Sequence, residues 1–282
     1  MKFTYSKYFI VSNLALLYYF YKQYKKSKMM KKKYKVLITG GAGGLGWSLA
    51  QKFLKNNSEV LIVDHNQDSL DKIPNQDKLT KYKCDITTPD NVLKMYKEIN
   101  PDSIDILINN AGIANKKLLS DLTPDDIKRT FNVNTLALFW MTKYMLPYFK
   151  KKNKGQIVTI SSVGGLVGAE KMVDYCSSKF AARGFHVSLD KELKDTNIDL
   201  TCICPYFFKT KLFERVSGYQ WPFSLLIHVY DLDEITELVY TDIMLRKNKV
   251  CIYPRLFRYL LRMRDFFPKW VQDNFIILGS KV

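Results

Sequence analysis

The chain has 282 residues, 47% hydrophobic and 25% charged, which are ordinary values for a globular protein with a large core. They exclude a disordered, collagen-like or disulfide-stapled chain. The net charge of +17 is concentrated at the ends: residues 1–35 contribute +10 and residues 246–282 contribute +7, while the 25 basic and 25 acidic residues between them cancel. A nucleic-acid-binding body would itself be basic, so no nucleic acid is expected as a partner; basic ends suit an anionic membrane surface.

In chain order, the first feature is an uncharged run of 14 residues, 8–21 (YFIVSNLALLYYFY), followed by eight lysines between Lys22 and Lys35. A straight helix needs roughly 20 apolar residues to cross a bilayer, so this run is short. Aromatic residues at both of its ends suit the membrane interface. A cleaved signal peptide carries its charge before the apolar run, the reverse of what is seen here. Residues 1–34 are therefore expected to form an uncleaved hydrophobic anchor with a basic flank, spanning or lying in one leaflet. The flank keeps the rest of the chain on the cytosolic side.

From residue 35 the pattern becomes strand, helix, strand. Runs of strand length occur at 35–39, 60–63, 104–108, 156–160, 200–204 and 249–252, with a weaker one at 82–84. Helix-length segments fall at 45–55, 91–99, 124–149 and 173–193. This alternation predicts an α/β fold: a doubly wound (Rossmann) parallel sheet of about seven strands with helices on both faces. Residues 35–255 are assigned to this dinucleotide-binding catalytic domain and 256–282 to a basic amphipathic C-terminal segment. The five cysteines are odd in number and match no disulfide or zinc spacing, so no metal is expected. Cys202 and Cys204 fall in an apolar run and read as buried strand residues in a reducing compartment.

Three motifs carry chemistry. The first, Thr39-Gly-Gly-Ala-Gly-Gly-Leu-Gly46, follows the first strand and opens the first helix. Its Gly40, Gly43, Gly44, Leu45 and Gly46 form a turn whose backbone can approach a pyrophosphate at a helix N-terminus. Asp64 comes next, about 20 residues on at a strand end, where a carboxylate accepts from the adenosine ribose and repels a 2′-phosphate. No Lys or Arg lies in the glycine loop or just after Asp64, so NAD is favoured over NADP. The third motif is Tyr175-Cys-Ser-Ser-Lys179, which puts a phenol and an ammonium one helical turn apart. A nearby ammonium is expected to lower a tyrosine pKa from near 10. Ser162 at the end of a strand and Asn109-Asn110-Ala111-Gly112 after the fourth strand give that pair its weight.

Together the glycine pattern, the NNAG turn, the strand-end serine and the YxxxK pair resemble the short-chain dehydrogenase/reductase family over about residues 35–255. The resemblance implies a catalytic tetrad of Asn134 (in FNVN), Ser162, Tyr175 and Lys179. It places Asp85 at the adenine, Asn110, Ala111 and Gly112 beside the cofactor, and Tyr175, Lys179 and Pro205 at its nicotinamide end. It implies proton transfer by Tyr175, substrate oxygen held by Ser162, ribose held by Lys179, and a water held by Asn134. One departure is Pro205-Tyr206, where the family has Pro-Gly.

The segments CPYFFKTKLF, YCSSKFAARGFH and PRLFRYLL resemble the membrane-associated retinol dehydrogenase and 17β-hydroxysteroid dehydrogenase branch. That implies the endoplasmic reticulum or lipid droplets as the location. An apolar lid is expected at about 206–230, rich in Phe207, Phe208, Phe213, Trp221 and Phe223. It suits a lipophilic alcohol or carbonyl. The expected activity is hydride transfer between a nicotinamide cofactor and a retinoid, steroid or other lipid alcohol, with a homodimer as a further possible partner. The alternatives are an NADP-linked lipid ketone reductase and a non-enzymatic scaffold that keeps the fold; the intact tetrad argues against the scaffold.

Overall fold

A computed structural model describes residues 32–206, 230–245 and 250–255, with isolated positions beyond them. The proposed anchor, most of the lid and most of the C-terminal segment lie outside the described residues. Seven strands form one sheet: β1 (Lys35–Thr39), β2 (Glu59–Asp64), β3 (Leu79–Lys83), β4 (Ile106–Asn109), β5 (Gly155–Ile160), β6 (Ile198–Pro205) and β7 (Val250–Tyr253). Every neighbouring pair is parallel, in the order β3-β2-β1-β4-β5-β6-β7. The helices are α1 (Gly44–Lys55), α2 (Gln67–Asp71), α3 (Pro89–Glu98), α4 (Pro124–Phe131), α5 (Ala137–Lys151), α6 (Val173–Glu192) and α7 (Leu232–Met244).

The sheet is buried on both faces, as continuous apolar strands require. Side chains alternate across it: Val36, Ile38, Val60, Ile62, Ile106 and Ile108 join one core, whereas Leu37, Leu61, Val63 and Leu107 join the other. On the first face α1 and α7 cover the sheet, with Phe53 and Tyr240 meeting edge to face at 4.9 Å. On the second, α3 supplies Met95 and Tyr96, α5 supplies Met141, Met145 and Phe149, and α6 supplies Leu189.

The predicted helix over 124–149 is two helices joined by a π-helical turn, Asn132–Leu136. α4 opens with a capping box, in which Thr123 and Asp126 each bond the other's backbone N–H. π turns insert one residue into the helical ladder and recur at functional positions; this one carries Asn134. The strand order reverses between β1 and β4, leaving a crevice at the strands' carboxyl ends, where ligands of doubly wound sheets bind.

Candidate active site

The glycine loop joins β1 to α1 in that crevice, and its glycines do different jobs. Gly40 has φ +61°, and a Cβ there would come within 2.9 Å of Ala111 Cα. A Cβ on Gly46 would lie 2.2 Å from the Gly40 carbonyl oxygen, so the start of α1 packs on the turn only as glycine. Gly43 and Gly44 are different: a Cβ on either meets nothing within 4 Å, so their backbone fronts open space. No acidic residue occupies the first turn of α1, which leaves its positive pole for an anion. This is a cradle that fits a dinucleotide pyrophosphate. Leu45 faces away and is buried in the core.

A cleft of about 490 Å³ runs from this loop across the ends of β2 and β3. Asp64 lines it and braces it: Oδ2 accepts from the Ala42 N–H at 3.2 Å and Oδ1 from the Asn66 N–H at 3.1 Å. His65 Nδ1 lies 3.3 Å from the same Oδ1. A carboxylate offers about four lone-pair directions, so acceptor capacity remains on Oδ2 for a ribose hydroxyl. Asp85 lines the cleft and accepts from the Thr87 N–H and hydroxyl. Ala111 and Gly112 form the opposite wall. Asn110 acts on the loop itself: its Nδ2 donates to the Thr39 and Gly40 carbonyls, stapling β4 to the turn after β1.

The four predicted tetrad residues converge at the other end of the crevice. Ser162 follows β5, and its hydroxyl accepts from the Gly164 N–H at 3.0 Å. Tyr175 is hydrogen-bonded to Ser162 and is 4% exposed. Lys179, one turn on along α6, is as deeply buried. Its Nζ donates to the Ile160 carbonyl at 3.1 Å and sits 5.8 Å from the Tyr175 ring centre. Asn134 is the fastener: Oδ1 accepts from the Ile113 N–H at 2.8 Å, while Nδ2 donates to the Ile113 carbonyl and to Ser178 Oγ, both at 2.9 Å. Ser178 in turn donates to the Tyr175 carbonyl at 2.7 Å. Asn134 thus ties the turn after β4 to the face of α6 that carries Tyr175 and Lys179. The last predicted position, Pro205, ends β6 beside Tyr253 of β7. The N–H of Tyr206 bonds the Tyr253 carbonyl.

Burial dominates the electrostatics. It raises Tyr175 to about 12, against the lowering effect of the Ser162 hydrogen bond. Burial also pulls Lys179 down to about 8. The expected lowering of the tyrosine by its lysine is therefore not what the protein shows without cofactor: desolvation of the phenolate outweighs an ammonium that points at a carbonyl. Lys179 is thus the one of the pair that titrates close to neutral pH, while Tyr175 holds its proton well above it.

Two features escaped the sequence reading. Arg129 of α4, exposed and one turn before Val133, lines the cleft, although it lies 65 residues from Asp64 in the chain. Asp174, 3% exposed, accepts from Asn115 Nδ2 at 2.7 Å and from Thr130 Oγ1 at 2.8 Å, clamping the turn after β4 to α4 and α6. A lone acidic residue before Tyr175 gave no signal of this.

The family model of the short chain dehydrogenases matches residues 34–220. The 17-beta-hydroxysteroid dehydrogenase 13 of Homo sapiens is 31% identical over 244 residues, 83% of this chain and 79% of that protein. The epidermal retinol dehydrogenase 2 of Homo sapiens is 32% identical over 245 residues, 83% and 78% of the two chains. Among solved structures, 4-hydroxyisoleucine dehydrogenase complexed with NADH superposes with a TM-score of 0.70 at 23% identity, over 78% of this chain and 96% of that one. ElxO with NADP bound does so with a TM-score of 0.69 at 28% identity, over 78% and 97%. Kinship along most of the chain agrees with the site's own chemistry: the chain belongs to the short-chain dehydrogenase family, and is an oxidoreductase of CH–OH groups that uses a nicotinamide cofactor.

Proposed function

We propose that this enzyme interconverts a lipophilic alcohol and its carbonyl, of the retinoid or steroid class, at a membrane surface, with NAD in preference to NADP. The observation that carries the chemistry is the hydrogen-bonded Tyr175–Ser162 pair with Lys179 one turn away; Lys179 Nζ lies against Gly112, a wall of the cleft that begins in a phosphate cradle. The substrate class rests on the relatives named for hydroxysteroids and retinol and on the apolar composition of residues 206–230.

The bound cofactor supplies the hydride chemistry. The glycine loop would hold its diphosphate, Asp64 its adenosine ribose, Asp85 its adenine and Lys179 its other ribose. Tyr175 takes the hydroxyl proton in oxidation and returns it in reduction. Ser162 donates to the substrate oxygen and stabilises charge that develops there. Lys179, while protonated, favours the phenolate. Asn134 has both side-chain N–H groups engaged, so a water would be held by its backbone carbonyl or the free lone pair of Oδ1. The test is full-length protein with NAD and a panel of retinoid, steroid and long-chain alcohols. Turnover of polar short-chain alcohols alone would refute the lipid reading.

Asp64 is the support for NAD. Its carboxylate accepts a 2′-hydroxyl and repels a 2′-phosphate. Asp64→Ala should narrow the ratio of NADP to NAD dissociation constants by about tenfold or more, since like charges in contact cost several kcal/mol. Wild-type protein that binds NADP more tightly than NAD would reverse the assignment.

We also assign residues 1–34 to membrane attachment, residues 35–255 to the catalytic domain and residues 256–282 to a second surface contact, with the active site facing the cytosol at the endoplasmic reticulum or a lipid droplet. Among the described residues no helix is long and apolar enough to cross a membrane; the assignment rests on the apolar run at 8–21 and its eight lysines. One apolar segment and one basic patch act together where either alone anchors weakly. Deleting residues 1–34 should move most of the protein to the soluble fraction while cofactor binding persists. A truncated protein that stays fully membrane-bound would shift the anchor to the C-terminal segment.

A further inference from the structure

We propose that Cys204 is a positioning residue of the active site: its buried sulfur fixes Ser161 and Ser162 and, through Ser161, the turn of α6 that carries Lys179. The proposal rests on the roles assigned above to Ser162 and Lys179. Cys202 and Cys204 stand two residues apart on β6, so their side chains share one face of the sheet. Both are fully buried, and their sulfurs lie 3.8 Å apart. The Cys204 sulfur is close enough to Tyr175 and Lys179 to bear on the proton equilibria of both.

The hydrogen bonds around this sulfur form one chain. The Ser162 N–H and the Ser161 side chain both bond it. Ser161 is itself buried; its hydroxyl donates to the Lys179 carbonyl at 2.9 Å, and its N–H donates to the Ile203 carbonyl at 2.8 Å. A hydroxyl has one proton to give, so toward Cys204 the Ser161 oxygen accepts and the thiol donates. The bond from Cys202 holds the Cys204 thiol below its ordinary range and pushes Cys202 well above, which makes Cys202 the donor. Arg183, one turn beyond Lys179 on α6, adds positive charge that favours the same electron-rich sulfur. The junction is tight: a Cβ on Gly165 would lie 2.7 Å from Ser161 Oγ and 2.6 Å from the Lys179 carbonyl oxygen. The chain thus runs from Cys202 through Cys204 and Ser161 to the Lys179 carbonyl, with the Ser162 N–H on the same sulfur. It sets the serine that meets the substrate oxygen against the helix that bears the proton-transfer pair.

The test is kcat, KM and the NAD dissociation constant of full-length variants, with the alcohol that the wild type oxidises fastest. Cys204→Ala should lower kcat about tenfold, part of the roughly 10²-fold that about 1 Å of misplacement can cost, with KM and NAD binding within about twofold of wild type. Cys204→Ser keeps a donor and an acceptor in place and should restore kcat to within about threefold. Packing alone predicts the reverse order, because cysteine behaves as a small hydrophobe and a buried hydroxyl fits such a site worse than a methyl group. Cys202→Ala is the control: as deeply buried, but reaching the serines through Cys204, it should also stay within about threefold. If Cys204→Ala does not fold, Cys204→Val, which refills the space without a polar hydrogen, takes its place. Wild-type kcat in the apolar variant overturns the proposal, as does a Cys204→Ser or Cys202→Ala protein as slow as Cys204→Ala. Tyr175→Phe measured alongside scores the tetrad separately: wild-type turnover there sinks the parent reading, whereas an inactive Tyr175→Phe beside an unaffected Cys204→Ala sinks this proposal alone.

Discussion

Tyr175→Phe should lower turnover by about 10³-fold, within the range a positioned proton-transfer group contributes, and leave NAD binding within a few-fold of wild type. The phenyl ring keeps the packing against Gly164 and the Met172–Cys176 cluster and removes only the hydroxyl. The pH profile sharpens the test. Oxidation needs the tyrosine to accept a proton, and burial holds its pKa up at about 12, so the competent fraction grows as pH rises. Lys179 loses its own charge near about 8, which removes support for the phenolate. Oxidation should therefore climb with pH and bend over above about 8. Reduction uses a proton the tyrosine already carries and should lack the rising limb. Wild-type-like turnover in Tyr175→Phe would discard the assigned mechanism.

Gly46→Ala should also be damaging, by a different route. The added Cβ would lie 2.2 Å from the Gly40 carbonyl oxygen and 2.6 Å from Asn110 Nδ2. Neither can step aside: Gly40 is backbone at φ +61°, and Asn110 staples two strand ends. Overpacking of this kind costs about 1–3 kcal/mol, occasionally more. The displaced groups are the phosphate cradle, so NAD affinity should fall by about tenfold or more alongside the thermal midpoint. Gly43→Ala is the control, since its Cβ meets nothing within 4 Å of protein. It should keep stability and lose affinity only as far as the methyl group crowds the phosphates. Equal stability loss in both variants would contradict this division of labour among the glycines.

The sheet was legible because its strands are short apolar runs bounded by polar turns. β1, β2, β5 and β6 overlap their predicted ranges to within two residues at each end. β3, the exposed edge with the sequence LTKYK, alternates weakly, and it begins three residues before its predicted range. α7 was not anticipated, although Asp231 and Glu234 form a capping box at its start; the apolar stretch before it hid the boundary. The break inside the 124–149 segment was invisible because FNVNTLALF keeps a plausible helical pattern through the π turn. At the site, the glycine loop and the Tyr175–Lys179 pair were readable from spacing, since each lies within one local element, whereas Asn134 entered only through the family resemblance. Arg129 and the Asp174–Asn115–Thr130 clamp were not, because pairing of distant segments creates them. The balance between burial and the lysine at Tyr175 also needed the fold, since sequence proximity says nothing about desolvation.

The pairing of β1 with β4 has a consequence for how the enzyme is made. Lys35 of β1 bonds Asp105, 70 residues downstream, and the crevice does not exist until that gap is closed. From Gly40 to Lys179 is 179 − 40 = 139 residues, which a ribosome adds in roughly 7–28 s at about 5–20 residues per second. Between the completion of β2 at Asp64 and the arrival of β4, β1 and β2 lack one wall, and their apolar faces and open edge call for protection by chaperones. The proposed anchor precedes every described strand and leaves the ribosome before them. If residues 1–34 attach to the membrane as proposed, the sheet closes on a nascent chain already at the bilayer, and the site is complete only once the helix bearing Tyr175 and Lys179 has followed.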